Sequence, residues 1–328
     1  MIKPSADAAL LRIGTRGSPL ALAQARMTAE ALERVGGSPA PAIETIVIQT
    51  TGDRVQDRAL AEIGGKALWT RELDRALIAG EVDAAVHSMK DVETRLAPGL
   101  VLAAVLPRAD VRDRLIGAPS LAALRPGARV GTSSPRRAAQ LKHRRPDVEP
   151  VLLRGNVETR LRAVAEERVD ATFLAAAGLE RLGIAEGVAL PVEDWLPAAS
   201  QGVVGITCRA DDSETRARLA AISHAGTLEC LLAERALLDG LGGSCRTSVA
   251  ALAVAIDADP EGAGGRRIEL RAELLSPDGR DCVGERAIGP ATDPEALGRT
   301  VAERLLARAT SAIRASLETL AAPERPGA

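Results

Sequence analysis

Apolar residues cluster over residues 10–14 as a short strand. After Thr15, Arg16 and Gly17 the pattern changes, with Leu22, Ala25, Ala29 and Leu32 at helical spacing. Ser18 sits at the N-cap of that helix and Pro19 at its first position. The same design returns in "RVGTSSPRRAAQL", where Val130 ends a strand, Ser134 caps and Pro135 opens a helix, so that IGTRGSP aligns with VGTSSP. A second echo links "GEVDAAVHSM" (80–89) with "ERVDATFLAA" (167–176), each a helix end, Val-Asp and a short buried strand. Alternation of strand and helix, twice over, predicts two similar α/β lobes with largely parallel sheets.

Between the echoes the first lobe carries extra residues, "QTTGDRVQDRALAEIGGK" (49–66), which read as a Gly-containing lid. From about residue 227 the rhythm shifts to a helix over 227–239 and strands over 247–256, 267–275 and 282–288, two of them joined by the turn "SPDGR". One long amphipathic helix is expected over 294–320. This third unit reads as a small antiparallel sheet covered by helices. A chain of 328 residues divides naturally into three such domains.

Hydrophobic residues at 46%, charged residues at 26% and a formal charge of −2 describe a well-buried globular protein and point to no partner by charge. Aromatics are confined to Trp69, Trp195 and Phe173, too few for the stacking that single-stranded nucleic acid needs. No run reaches the roughly 18 apolar residues of a membrane span, and residues 1–15 carry no signal-peptide pattern. A cytoplasmic protein with no membrane or nucleic-acid partner is expected. Its four cysteines should then be reduced, and their spacing fits no CxxC pair or zinc site, so no metal is expected. Of 42 basic residues only four are lysines, so a lysine inside a motif, such as Lys90, is either placed by chance or there because its compact ammonium is needed.

Both helix starts bring unpaired N–H groups together with hydroxyls and arginines: Thr15, Arg16 and Ser18, then Thr132, Ser133, Ser134, Arg136 and Arg137. Such a terminus binds carboxylate or phosphate; ordinary capping with solvated arginines is the other reading. "LLRGNVETRLRAV" adds Arg154 at a strand end, Asn156 as a cap and Arg160 one turn inside the helix. With neither GxxxxGK[ST] nor GxGxxG present, small carboxylates suit these arginines better than nucleotide. "VHSMKDV" places Ser88, Lys90 and Asp91 where an apolar strand runs out, the usual ligand-bearing end of an α/β sheet. The pair is either a surface ion pair or a proton-handling carboxylate beside its cation. Cys245 differs from Cys208, Cys230 and Cys282 in lying in a Gly-rich loop, next to Arg246. That setting suits a reactive thiol, as nucleophile or attachment point. Two functional classes remain open on these residues: an enzyme, or a non-catalytic two-lobed protein that binds small carboxylates.

Several strings in order, "TRGSPLALAQ", "GDRVQDRALAEIGGKALWTRELDRAL", "VDAAVHSMKDV", "VGTSSPRRAAQL", "RRPDV", "LRGNVETRL", "LAAAGLERLG", "LPAASQGVVGITCRADD" and "LGGSCR", span roughly residues 10–320. Together they resemble the hydroxymethylbilane synthase, or porphobilinogen deaminase, family of porphyrin and heme biosynthesis. The resemblance implies a transferase that joins four porphobilinogen molecules into linear hydroxymethylbilane with release of ammonia. It also implies a dipyrromethane cofactor held through a thioether, at Cys245 by position, and a catalytic aspartate at Asp91. Lys90, Ser88, Thr132, Ser133, Ser134, Arg136, Arg137 and Arg160 match cofactor-binding positions. Arg16, Ser18, Gln24, Lys66, Arg154, Arg181 and Gln201 match the substrate cleft and lid. The fold it implies is two lobes like those of type II periplasmic binding proteins plus a small C-terminal domain, in a monomer. Its domains are 1–107 with 201–224, then 108–200, then 225–328, with "LPAASQGVVGITCR" as the return crossing. Glu62 stands where relatives often carry lysine; Gly17, Glu93, Ser200 and "GSCRTS" also depart from the usual pattern, and none removes an attachment or catalytic group.

Overall fold

The computed structural model describes residues 10–35, 42–50, 70–243, 247–256 and 265–321. The expected lid beyond Thr50, with Glu62 and Lys66, lies outside the described residues, as does 244–246 with Cys245. In the first lobe, β1 (Leu11–Thr15) leads through the Ser18-Pro19 start into α1 (Pro19–Val35), followed by β2 (Ile43–Val47), α2 (Arg71–Ile78), β3 (Ala84–Ser88) and β4 (Leu100–Val105). The chain then crosses to β5 (Asp113–Ile116), β6 (Arg129–Thr132), α3 (Pro135–Arg144), β7 (Glu149–Leu152), α4 (Val157–Ala165), β8 (Ala171–Ala175), α5 (Ala176–Arg181) and β9 (Val188–Ala189). It returns as β10 (Val204–Arg209), which inserts between β3 and β4.

The two five-stranded sheets have the same plan, β2-β1-β3-β10-β4 and β7-β6-β8-β5-β9. Each repeat seen in the sequence falls on equivalent strands: IGT and VGT on β1 and β6, second from one edge of their sheets, and the Val-Asp pairs just before the central strands β3 and β8. Parallel pairing holds for β1 with β2 and β3, and for β6 with β7 and β8. The expectation of largely parallel sheets needs one correction, because β10 pairs antiparallel with β3 and β4, and β5 antiparallel with β8 and β9. These strands lie at the two crossings. A strand arriving from the other lobe without a crossover helix enters from the opposite end of the sheet and so runs against it. Strands β3, β8 and β10 are buried nearly throughout, as strands covered on both faces are. Leu11, Ile13, Val86, Val204 and Ile206 centre the first core; Leu115, Val130, Phe173 and Trp195 centre the second. Phe173 and Trp195 stack with ring centroids 4.8 Å apart.

After α6 (Ser213–Ala220), the third unit comprises α7 (Ala225–Gly240), the antiparallel sheet β11 (Val249–Ile256), β12 (Arg267–Leu275) and β13 (Cys282–Pro290), then α8 (Pro294–Arg308) and α9 (Ser311–Ala321). Gly298 lets α8 lie close on α7, since a Cβ there would come within 2.3 Å of the Ala233 carbonyl oxygen. The single helix expected over 294–320 is two helices. Ala309 is extended (φ −61°, ψ 133°). Thr310 restarts the helix: its hydroxyl donates to Asp281 Oδ2 at 2.7 Å and accepts the Ile313 N–H. The break is made by a contact with the β12–β13 turn, which helical spacing does not register.

Candidate active site

The carboxyl ends of the central strands in both lobes open onto one cavity of about 890 Å³ between them. On the first lobe, the loop after β1 brings in Arg16 and Ser18; the Ser18 hydroxyl accepts the Ala21 N–H at 3.3 Å, as an N-cap does. Where β3 ends, a single 3-10 turn (Met89–Asp91) is pinned by the Met89 N–H to the Val203 carbonyl at 3.0 Å and puts Ser88, Lys90 and Asp91 on the cavity wall. Gln24 stands behind them, buried on α1, and donates to Ser88 Oγ at 2.7 Å.

On the second lobe, Thr132 is buried at the end of β6, where its hydroxyl accepts the Ser134 N–H at 3.1 Å, while Ser133 and Ser134 face the cavity. Gly155, at φ +109°, turns the chain from Arg154 into the Asn156 cap of α4. From the first turns of that helix Arg160 reaches back, donating to the Gly155 carbonyl at 3.1 Å and to Ser133 Oγ at 3.1 Å. Arg181 comes from the end of α5 and donates to the Gly202 carbonyl at 2.7 Å. Of the residues singled out by sequence, Thr132 and Gln24 stand behind the cavity wall, supporting groups on it.

Arg136 and Arg137 line the cavity yet are only 3% and 6% exposed. Their guanidiniums are turned onto Asp113, a residue sequence reasoning passed over because nothing in "PRADVRDRLIG" marks one acid as buried. Trp195, Glu234 and Arg235 likewise take their places through long-range packing; Gln201, singled out by sequence, meets Asp113 through the same packing. Arg235, on α7, lines the cavity and donates to the carbonyls of Glu93 and Thr94 at 2.6 and 2.7 Å, clasping the chain just after Asp91.

Seven arginines and Lys90 face this cavity among the described residues, against two acids, Asp91 and Glu158. Burial, with Arg137 and Arg136 beside it, pushes the Lys90 ammonium down to about 8 against the pull of Asp91 and Asp113. Burial and Arg137 push Arg160 down to about 10, and burial lowers Arg181 as well. The surroundings are therefore short of negative charge. The Nε–H groups of Arg136 and Arg181 are buried with no hydrogen-bond partner. Unspent donors in a cation-rich cleft fit a ligand that carries several carboxylates.

Cys208, Cys230 and Cys282 are free thiols, each pushed up to about 11 chiefly by burial, which makes them poor nucleophiles. Cys245 lies outside the described residues, but Leu238, Thr247 and Val249, on either side of its loop, line the cavity. Among the described residues no three His, Cys, Asp or Glu side chains gather as a metal site, and no helix is long and apolar enough to cross a membrane.

Among solved structures, the zinc-bound ligand-binding component of an ABC-type import system from Staphylococcus aureus is similar at 14% identity and a TM-score of 0.38, covering 70% of this chain and 73% of that one. The family profile "Porphobilinogen deaminase, dipyromethane cofactor binding domain" matches residues 11–217, and "Porphobilinogen deaminase, C-terminal domain" matches 228–307. A porphobilinogen deaminase of Sphingopyxis alaskensis is 54% identical over 310 residues, covering 93% of this chain and 95% of its own. That of Paracoccus denitrificans is 49% identical over 304 residues, covering 91% and 94%. With both halves of the chain matched and a cation-lined cleft between its lobes, the chain belongs to the porphobilinogen deaminase family.

Proposed function

We propose that this chain is a transferase that deaminates four porphobilinogen molecules and joins them head to tail, releasing hydroxymethylbilane and ammonia, with a dipyrromethane primer attached to Cys245. The observation that carries this reading is the Asp91 carboxylate beside Lys90, one of two acids among the eight cations that, among the described residues, line a cleft built for several anions. When bound, the dipyrromethane supplies the pyrrole carbon to which the first substrate unit is joined. Ser88, Lys90, Thr132, Ser133, Ser134, Arg136, Arg137 and Arg160 are proposed to hold it. Arg16, Ser18, Gln24, Lys66, Arg154, Arg181 and Gln201 are proposed to serve the substrate.

Each porphobilinogen brings an acetate and a propionate, so every addition delivers two negative charges, and bidentate arginines answer them. Asp91 acts on the opposite sign. As ammonia leaves, positive charge develops on the pyrrole nitrogen, and a fixed carboxylate in a cleft of low water content stabilises that N–H. The same oxygen can take the proton when the ring regains its aromaticity. A protein that only bound dicarboxylates would gain nothing from an acid at that point, which favours the transferase over a two-lobed binder.

The sheets support assigning 1–107 with 201–224 to one domain, 108–200 to a second and 225–328 to a third, the crossing strands β5 and β10 marking the exchanges. The chain is taken to work as a cytoplasmic monomer on a small molecule, with no nucleic-acid or membrane partner. Intact-mass measurement tests the reading: protein purified from cells that make porphobilinogen should exceed the chain mass by two pyrrole units. A mass equal to the bare polypeptide would overturn it.

A further inference from the structure

Asp113, at the start of β5, has no exposed surface and accepts five hydrogen bonds. Arg136 Nη2 donates to Oδ2 at 2.9 Å; Arg137 donates through Nε to Oδ2 at 3.1 Å and through Nη2 to Oδ1 at 2.7 Å. Trp195 Nε1 donates to Oδ2 at 2.9 Å, and Gln201 Nε2 to Oδ1 at 2.8 Å. The other Nε2 proton of Gln201 goes to the Val111 carbonyl, also at 2.8 Å. With both amide protons on fixed acceptors, the amide cannot be reversed, and its oxygen is left facing Lys90 Nζ at 3.4 Å.

We propose that Asp113 is a positioning residue for the reaction: one buried carboxylate aims Arg136 and Arg137 and, through the orientation it imposes on Gln201, seats Lys90 beside Asp91. The inference rests on the reading of Lys90 and the two arginines as carboxylate-binding groups. Two guanidiniums on one carboxylate leave a net positive charge at the cleft wall, held by a rigid fork rather than by flexible stems. Trp195 completes the hold, packed on Phe173 behind it. The charged groups facing Lys90 are Asp91 on its own turn, Asp113 on β5, and Arg136 and Arg137 on α3. Asp113 is therefore one of two acids that keep the Lys90 ammonium protonated in working conditions. Without it, three cations would face one another with only Asp91 to balance them.

The test compares the full-length chain with its Asp113→Asn variant, reading Lys90 directly by its rate of reductive methylation against pH, followed by peptide mass measurement. The expected midpoint near 8 in the parent should fall by about one unit in the variant. The KM for porphobilinogen should rise about tenfold or more while kcat changes less, and the basic limb of the activity profile should move to lower pH with the Lys90 midpoint. Trp195→Phe, which removes a neutral donor and keeps the carboxylate, should leave the midpoint in place. An unchanged midpoint in a folded Asp113→Asn, or an equal shift in Trp195→Phe, overturns the proposal. If Asp113→Asn does not fold, Gln201→Met decides, because it leaves both arginine pairs on Asp113 and removes the amide that ties Asp113 and the Val111 carbonyl to Lys90; an unchanged Lys90 methylation profile there, read without substrate, also overturns the proposal. Absence of turnover in the parent would defeat the functional reading alone, since the methylation midpoints are read without substrate.

Discussion

Replacing Glu234 by glutamine removes one charge from the place where the lobe crossings and the third unit meet. Glu234, on α7, is fully buried, with its Oε1 accepting Arg108 Nη1 at 2.7 Å and the Ala253 N–H of β11 at 2.7 Å. Its Oε2 accepts Arg108 Nη2 at 3.1 Å and the Ser200 N–H. Arg108 belongs to the outgoing crossing and Ser200, at φ +67°, to the returning one, so four donors from three segments converge on one carboxylate. In Glu234→Gln one oxygen becomes an NH₂ group that must face two donors, and the Arg108 charge, with its side chain only 12% exposed, loses its counter-charge. Breaking a buried pair on one side costs about 3–5 kcal/mol, a large part of the roughly 5–15 kcal/mol that holds a domain folded. At roughly 2–4 °C per kcal/mol for units of this size, the first melting transition should fall by about 6–20 °C. Scanning calorimetry of the purified full chain measures it. The neutral pair Glu234→Leu with Arg108→Met should melt closer to the parent than either single change. A Glu234→Gln protein melting within about 3 °C of the parent would refute the assignment of this carboxylate as the anchor of the three segments, given the cost expected for such a pair.

Asp91→Asn should keep the mass of the attached primer but lose roughly 10²–10³ in kcat, as removal of a charge-stabilising group does; near-parental turnover would rule out the role proposed for that carboxylate. His87, buried with Nε2 2.9 Å from Thr207 Oγ1, is pushed down to about 4 by burial, with Arg16 and Arg235 adding to it. Its folded value lies below the unfolded one near 6.5, so the unfolded chain binds the extra proton between these values, and stability should fall as pH drops through that window. Comparing denaturant midpoints at pH 7 and pH 4.5 should show a loss of about 2–3 kcal/mol that His87→Gln lacks; an equal loss in both proteins would show that His87 is not its source.

Local chemistry made much of this protein legible in its sequence. The Ser18-Pro19, Ser134-Pro135 and Asn156 starts appear as read, because a cap involves only the next few backbone N–H groups. The twofold repeat is equally local: it marks Arg16 and Ser133 at equivalent helix starts, while "VHSMKDV" and "LLRGNVETRLRAV" mark Lys90, Asp91, Arg154 and Arg160, and all six line one cleft.

What the tertiary structure alone decided depends on partners far apart in the chain. Arginine in "SSPRR" declares a charge but not its counter-ion, and only the packing of β5 against β8 brings Asp113 under Arg136 and Arg137. Thr310 breaks a continuous helical pattern because Asp281 happens to stand beside it. The direction of β5 and β10 follows from how the chain crosses between lobes, which apolar periodicity cannot encode. Backbone conformation is set by neighbours a few residues away, whereas a buried charge takes its orientation from whichever opposite charge the completed fold delivers to it.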